Sequence, residues 1–365
     1  MSSDKPMKVA LCWHMHQPEY RNLRSGTFHL PWTYLHAIKD YVDMAAHIEA
    51  VPGARAVVNF APILLEQLED YIEQLRQFLG GQGTLSDPLM AELVEPALPG
   101  DQDAQLALMK RCLQANRERM INRFESYRRL ADLAAYYEDH PQTLLYASNQ
   151  FLADLMVWYH LSWMPEFARR SDSRIKALEA KCSNYSIHDR RELLQIILEL
   201  LESIIPRYSA LARSGQVELT ISPYAHPIVP LLLDMNSARE AMPDAPLPIN
   251  RTYPGGEERS KWHLEKGVET FERLFGFRPT GLWPSEGGVS QQALTLFADQ
   301  GFTWLASGGN VLDNSHDAHS KSCSHRLYRF GDARIHCAFR DDGLSDLIGF
   351  TYSDWHAKDA VANLV

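Results

Sequence analysis

Short apolar runs and amphipathic stretches take turns along much of this chain. Met7–Trp13 is a brief apolar run between polar flanks, as expected of a buried first strand, and Ala54–Phe60 is a second. Between them, Pro31–Ala50 carries apolar residues at helical spacing. Pro62–Leu79 is strongly amphipathic and opens on proline, a residue favoured in the first helical turn. Strand followed by helix, repeated, predicts an α/β architecture built on a parallel sheet or barrel. From about Asp101 to Arg213 the rhythm breaks. This stretch is rich in Leu, Arg and Glu, is interrupted near Trp163–Pro165, and reads as a mainly helical insertion. The beta-alpha rhythm returns with strands predicted at Val217–Ile221, Pro279–Trp283, Thr303–Ala306 and Arg334–Phe339. Helices are predicted at Lys261–Phe275 and Ser290–Gly301, and Ser307–Ser324 reads as a long polar loop.

Length and charge narrow the function class. At 365 residues and 45% apolar composition the chain can bury a large core, as one big α/β barrel or two smaller domains. A net charge of −10 argues against nucleic acid or an anionic membrane as the main partner, because both select a basic face. A neutral substrate such as a sugar is compatible with it. The five cysteines, Cys12, Cys112, Cys182, Cys323 and Cys337, are scattered, odd in number and without a CxxC pair, so they read as reduced thiols. The N-terminus shows no signal peptide and the chain no transmembrane run, and a cytoplasmic location is expected.

Chemistry in a parallel barrel sits at the C-terminal ends of strands. Four predicted strand exits are polar: Trp13-His14-Met15-His16-Gln17-Pro18, Ser222-Pro223-Tyr224-Ala225-His226-Pro227, Trp283-Pro284-Ser285-Glu286-Gly287-Gly288, and Arg340-Asp341-Asp342-Gly343-Leu344-Ser345-Asp346. Each also has a plain structural reading. A His pair on a strand is often structural, Trp283 is compatible with simple core, and the aspartates are natural turn caps. Glu286 stands out: it follows an apolar strand and precedes two glycines, and a buried Glu there needs a partner or a task. The functional reading rests on the combination of exits.

Those segments resemble the motifs of glycoside hydrolase family 57. His14-x-His16-Gln17-Pro18 resembles the first motif and Gly215-Gln216-Val217-Glu218-Leu219-Thr220 the second. Gly281-Leu282-Trp283-Pro284-Ser285-Glu286 resembles the third, and Phe339 through Phe350 the fourth, in the form of the α-amylase and amylopullulanase branch. They occur in the family's order across nearly the whole chain. The resemblance implies an incomplete, TIM-like (β/α)7 barrel, a retaining mechanism on α-glucans or maltooligosaccharides, and no required metal or other cofactor. It implies that Glu286 is the nucleophile and that the acid/base is a fourth-motif aspartate, Asp346 first and Asp341 second; strand alternation that points Asp341 inward makes Asp342 a turn or salt-bridge residue. Trp13, His14, His16, Gln17, Glu218, His226 and Trp283 are the implied substrate-binding residues, and Trp355 offers a further aromatic face. The family also implies a C-terminal helical domain with a fifth motif. This chain reaches Val365 soon after Tyr352–Trp355, so the expectation is one barrel over 1–365, with the insertion at about 101–213 and the C-terminal domain cut short after 355.

Two other readings compete. His14, His16, His226 and Asp341 suit a zinc site, as in a metal-dependent deacetylase or mannosidase on a related barrel. A non-catalytic glucan-binding module is the other. Hydrolysis and transfer to another sugar are not separated by the sequence, and neither is the oligomeric state.

Overall fold

The computed structural model describes residues 9–95, 99–315, 323, 325–329 and 334–365. Among these residues seven strands form one sheet: β1 (Cys12–Met15), β2 (Ala56–Phe60), β3 (Val217–Ile221), β4 (Gly281–Leu282), β5 (Trp304–Ser307), β6 (Tyr328–Arg329) and β7 (His336–Phe339), in the order β1-β2-β3-β4-β5-β7-β6. β1 pairs in parallel with β2, β3 with β4, β4 with β5, and β5 with β7, whereas the two-residue β6 runs antiparallel to β7. No ladder joins β6 back to β1 among the described residues, so hydrogen bonds do not close the α/β sheet into a ring.

The chain divides into two compact units. The first comprises 1–18, 56–65 and 218–365, and holds the sheet. Val58, Phe60, Ile221, Leu282, Leu305 and Cys337 are among its buried strand positions, and the polar Asn59, Thr220 and Ser307 are buried beside them. Helix Gly256–Phe275 packs so closely that a Cβ on Gly267 would sit 3.3 Å from Pro62 and 3.4 Å from Ile221. At Gly281 a Cβ would stand 2.4 Å from the Trp304 indole, so only glycine lets that ring lie across β4. The second unit, 19–55 and 66–217, is helical. Helix Ile187–Arg213 starts at a capping box made by Ser186 and Asp189. Helix Asn149–Ser162 is buried at every position from Phe151 to Ser162. No helix among the described residues is long and apolar enough to cross a membrane.

Most predicted elements are present, with shifts that have physical causes. Helix Pro62–Leu79 and strand Val217–Ile221 match residue for residue. β1 begins at Cys12 rather than Met7, because its pairing with β2 begins at Cys12 opposite Val57; Met7 and Lys8 lie outside the described residues. The predicted helix Pro31–Ala50 is three segments, Trp32–His36, a π-helical turn Ala37–Tyr41, and Val42–Glu49. Part of the predicted loop Ser307–Ser324 is helix, Gly309–Asn314, while 316–322 and 324 lie outside the described residues. The fourth motif forms a capped helix. Asp341 is the N-cap of helix Asp342–Gly349, its Oδ1 accepting from the Leu344 amide at 2.9 Å. The signal was present: an aspartate followed by apolar residues at 344, 347 and 348 is a capped amphipathic turn.

Candidate functional site

The site lies in the sheet-bearing unit, at the carboxyl ends of β1, β3 and β4. Alternation along β1 sends His14, and His16 just beyond the strand, to one side and Trp13 to the other. The His14 and His16 rings stack with centroids 5.4 Å apart. His226, five residues past the end of β3, completes a trio, its ring 5.0 Å from that of His14 and 4.1 Å from that of His16. Trp283 leaves β4 half-buried, with its ring 6.3 Å from His14.

Two residues at these exits have left-handed backbones that side-chain-bearing residues rarely adopt: His226 and Glu286, both at φ 58°. Each conformation costs about 1 kcal/mol or more and persists only where the surroundings hold it. At His226 the turn is fastened by its amide, which donates to the Pro223 carbonyl at 2.8 Å. At Glu286 the turn continues into Gly287, also left-handed, whose carbonyl accepts from the Ser307 hydroxyl at 2.6 Å. The two strained residues face each other, with His226 Nδ1 3.9 Å from Glu286 Oε1. The Glu286 side chain is 72% exposed and that of His226 only 6%. Glu286 is therefore not the buried glutamate the sequence suggested; the turn presents its carboxylate to solvent, where a substrate can reach it.

Burial sets the charge of the trio. It pushes His226 down to about 3, with His16 and then His14 repelling the same proton. It pushes His16 down to about 4, again with repulsion from His14. His14 is lowered by its protein surroundings, against the raising effects of Asn59 and Glu286. Near neutral pH His16 and His226 are uncharged, so the contact between His226 and Glu286 is dipolar rather than ionic. His226 Nε2 is buried without a hydrogen-bond partner, and so is the hydroxyl of Ser285 beside Glu286. A buried polar atom left unpaired costs about 1–3 kcal/mol.

Sequence reasoning missed what holds His14 in place. Asn59, fully buried in β2, has its Oδ1 2.7 Å from His14 Nδ1 and accepts there from the Ser222 hydroxyl at 3.0 Å as well, while its amide group donates to the Thr220 hydroxyl. An Asn inside the apolar run Ala54–Phe60 was the available signal, since a buried amide needs partners. His263 is a second such residue. Its carbonyl accepts from the Tyr224 amide at 2.9 Å and its Nδ1 from the Ala225 amide at 3.4 Å, steadying the turn that leads to His226.

The remaining predicted residues stand apart from this group. Gln17 is half-buried in the turn after β1. Glu218 is near the start of β3, where its carboxylate accepts from the Trp304 indole at 2.6 Å and the Thr280 hydroxyl at 3.3 Å. Asp342 pairs with Arg340 at 2.5 Å, the salt bridge expected of it. Asp341 and Asp346 are both exposed, the first capping the helix and the second on its surface, so neither has the drier setting expected of an acid/base. Among the described residues, no hydrogen bond or ion pair joins either to Glu286. Trp355 is exposed and packs on Tyr352 with centroids 5.2 Å apart. Ligand-capable side chains converge at His14, His16 and His226 alone among the described residues, and Asp341 is not in that group.

Residues 10–365 match the sequence model of Glycosyl hydrolase family 57, and the chain belongs to that family. No curated protein matches the chain. Three solved structures are similar to it: an alpha-amylase from Thermotoga maritima (13% identity, 93% of this chain and 46% of that one, TM-score 0.46), a GH57-type branching enzyme from Pyrococcus horikoshii (16%, 95% and 50%, 0.45), and a GH57 branching enzyme from Thermococcus kodakaraensis in complex with glucose and additives (16%, 94% and 49%, 0.45). The chain thus spans about half the length of each.

Proposed function

We propose that this chain carries the catalytic sheet of an enzyme that cleaves or transfers α-glucosidic bonds with retention, with Glu286 as nucleophile and Asp346 as acid/base. The observation that carries the reading is the pair of strained residues at neighbouring strand exits, His226 and Glu286, 3.9 Å apart at one cluster of polar groups. Strain of this kind is kept where it positions a group for work. The carboxylate of Glu286 attacks the anomeric carbon as the bond to the leaving oxygen breaks, and Asp346 gives that oxygen a proton. Water or a sugar hydroxyl then displaces Glu286 while Asp346 takes the proton back. Such a pair works with its carboxyls about 5–5.5 Å apart. Asp346 is preferred over Asp341 because the latter's carboxylate is engaged in capping its helix.

The neighbouring groups support a sugar substrate. A neutral imidazole has one N–H and one lone pair, so it matches a hydroxyl that both donates and accepts. His14, His16 and His226 are three such groups, Gln17 adds an amide, and half-buried Trp283 provides an aromatic face for a glucose ring.

The test is turnover of maltooligosaccharides, scoring longer as well as shorter products, for the wild type, Asp346→Ala and Asp341→Ala, each with and without azide. Loss of the true acid/base lets azide attack the glycosyl intermediate and restores turnover of an activated substrate. Rescue in Asp346→Ala is expected. Rescue only in Asp341→Ala moves the role to Asp341, and rescue in neither removes the two-carboxylate reading.

A further inference from the structure

We propose that His14, His16 and His226 form a binding site for one zinc-like divalent transition-metal ion, and that filling it blocks the carboxylate site alongside. The blocking half rests on the reading of Glu286 as the nucleophile; the binding half does not.

Three independent features of the trio point to a cation. The first is convergence: one ligand nitrogen from each ring lies within 4.8 Å of the other two. Zinc bound at about 2.0–2.1 Å by imidazoles in tetrahedral geometry brings those nitrogens to roughly 3.4 Å apart, so small side-chain rotations close the site. The second is an unspent lone pair. His226 Nε2 has no hydrogen-bond partner, and its side chain is 6% exposed, so water does not substitute for one. The third is a fixed tautomer. Asn59 donates to Thr220 and turns its oxygen toward His14, so His14 Nδ1 carries the proton and Nε2 is left with a lone pair. A carbonyl oxygen behind the far nitrogen is how protein metal sites orient an imidazole.

Three imidazoles leave the fourth position of a tetrahedral ion open. Glu286 lies on the other side of His226: its Oε1 is 3.9 Å from Nδ1, the nitrogen that faces away from an ion on Nε2, where it is placed to accept that N–H. Imidazoles bound to an ion are no longer free to meet sugar hydroxyls, and a carboxylate drawn into a hydrogen bond with the polarised His226 N–H is a weaker nucleophile. The ion therefore acts as a reversible block on the site.

The test is calorimetric titration of the purified protein with zinc chloride in a non-coordinating buffer near neutral pH, with X-ray absorption of the loaded protein to count imidazole ligands. One saturable ion per chain is expected, with three imidazoles at about 2.0 Å. His226→Ala and, as a second cluster variant, His16→Ala should each weaken binding by 100-fold or more. Glu286→Gln should weaken it by less than the histidine variants do, and His36→Ala, a half-buried helix histidine outside the cluster, not at all. No saturable binding, or binding unchanged in both cluster variants, overturns the site. Maltooligosaccharide turnover, followed in parallel, should fall as the ion saturates and recover with a chelator. Zinc binding with turnover unaffected overturns the block but leaves the site, whereas zinc binding to a protein with no glycosidic turnover under any condition fails the hydrolase reading instead.

Discussion

Two buried histidines, one in each unit, show how differently the same physics is used. His160, in the helical unit, and His226, in the sheet unit, are both held neutral by burial, the first pushed down to about 4 and the second to about 3. His160 spends both nitrogens on structure. Its Nδ1 meets the Met156 carbonyl at 2.8 Å and its Nε2 the Tyr34 hydroxyl at 2.9 Å, all within regular helix. His226 spends neither on a protein hydrogen bond, and sits on a backbone that strains to hold it. A depressed histidine pKa therefore does not mark a functional site in this molecule. What marks it is a buried polar group whose bonding capacity is left unused, at a position the backbone goes out of its way to supply.

The contrast yields graded expectations. The largest is on the sheet side: Glu286→Gln should lower turnover on maltooligosaccharides by 1,000-fold or more, about 4 kcal/mol of transition-state stabilisation. Because Glu286 is exposed, its circular dichroism and urea midpoint should match the wild type; turnover within tenfold of wild type would remove its assigned role. On the helical side, His160→Ala deletes a fully buried ring and unpairs the Tyr34 hydroxyl, so it should cost about 3 kcal/mol of unfolding free energy in urea titration. A loss below 1 kcal/mol would mean that His160 is not the structural histidine described.

Acid probes the same residue through linkage. The unfolded chain binds a proton at His160 near the ordinary value of 6.5, whereas the folded chain holds that group at about 4. The folded state thus binds fewer protons between those values, and stability falls as pH falls through the window. Between pH 7.5 and 5 the wild type should lose about 2 kcal/mol through this group alone, and His160→Gln should show a shallower fall, read as urea midpoints across the range. Parallel slopes in the two proteins would contradict it. The smallest effect concerns the fourth motif. Asp341→Ala removes an N-cap worth about 1 kcal/mol, and should speed hydrogen exchange at the Leu344 amide about fivefold. Unchanged protection there would show that the cap contributes nothing.

How much of this was legible in the sequence follows the same division. Strand β3 and helix Pro62–Leu79 were readable to the residue, because apolar runs and amphipathic periods are local signals. The segments leaving β1, β3 and β4 were readable as polar exits, and the structure brings His14, His16, His226, Trp283 and Glu286 together from them. Asn59 was not found, since nothing in ARAVVNF says that its amide will meet a histidine 45 residues away. The left-handed turns at His226 and Glu286 were equally hidden, because such conformations are uncommon outside glycine and are imposed by tertiary contacts. In the fourth motif the aspartates were readable as caps, and Asp341 with the apolar residues after it spells a capped helix.

The central claim is that Glu286 bonds covalently to a sugar, and the most direct measurement is to trap that bond. The protein is incubated with a fluorinated α-glucosyl fluoride, which forms a glycosyl-enzyme intermediate quickly and releases it slowly, then digested and analysed by mass spectrometry. The account predicts one added glycosyl mass on the peptide containing Trp283-Pro284-Ser285-Glu286, localised to Glu286 by fragmentation and absent in Glu286→Gln. A glycosyl group found on another carboxylate, or an equal yield of adduct in the Glu286→Gln protein, would contradict it.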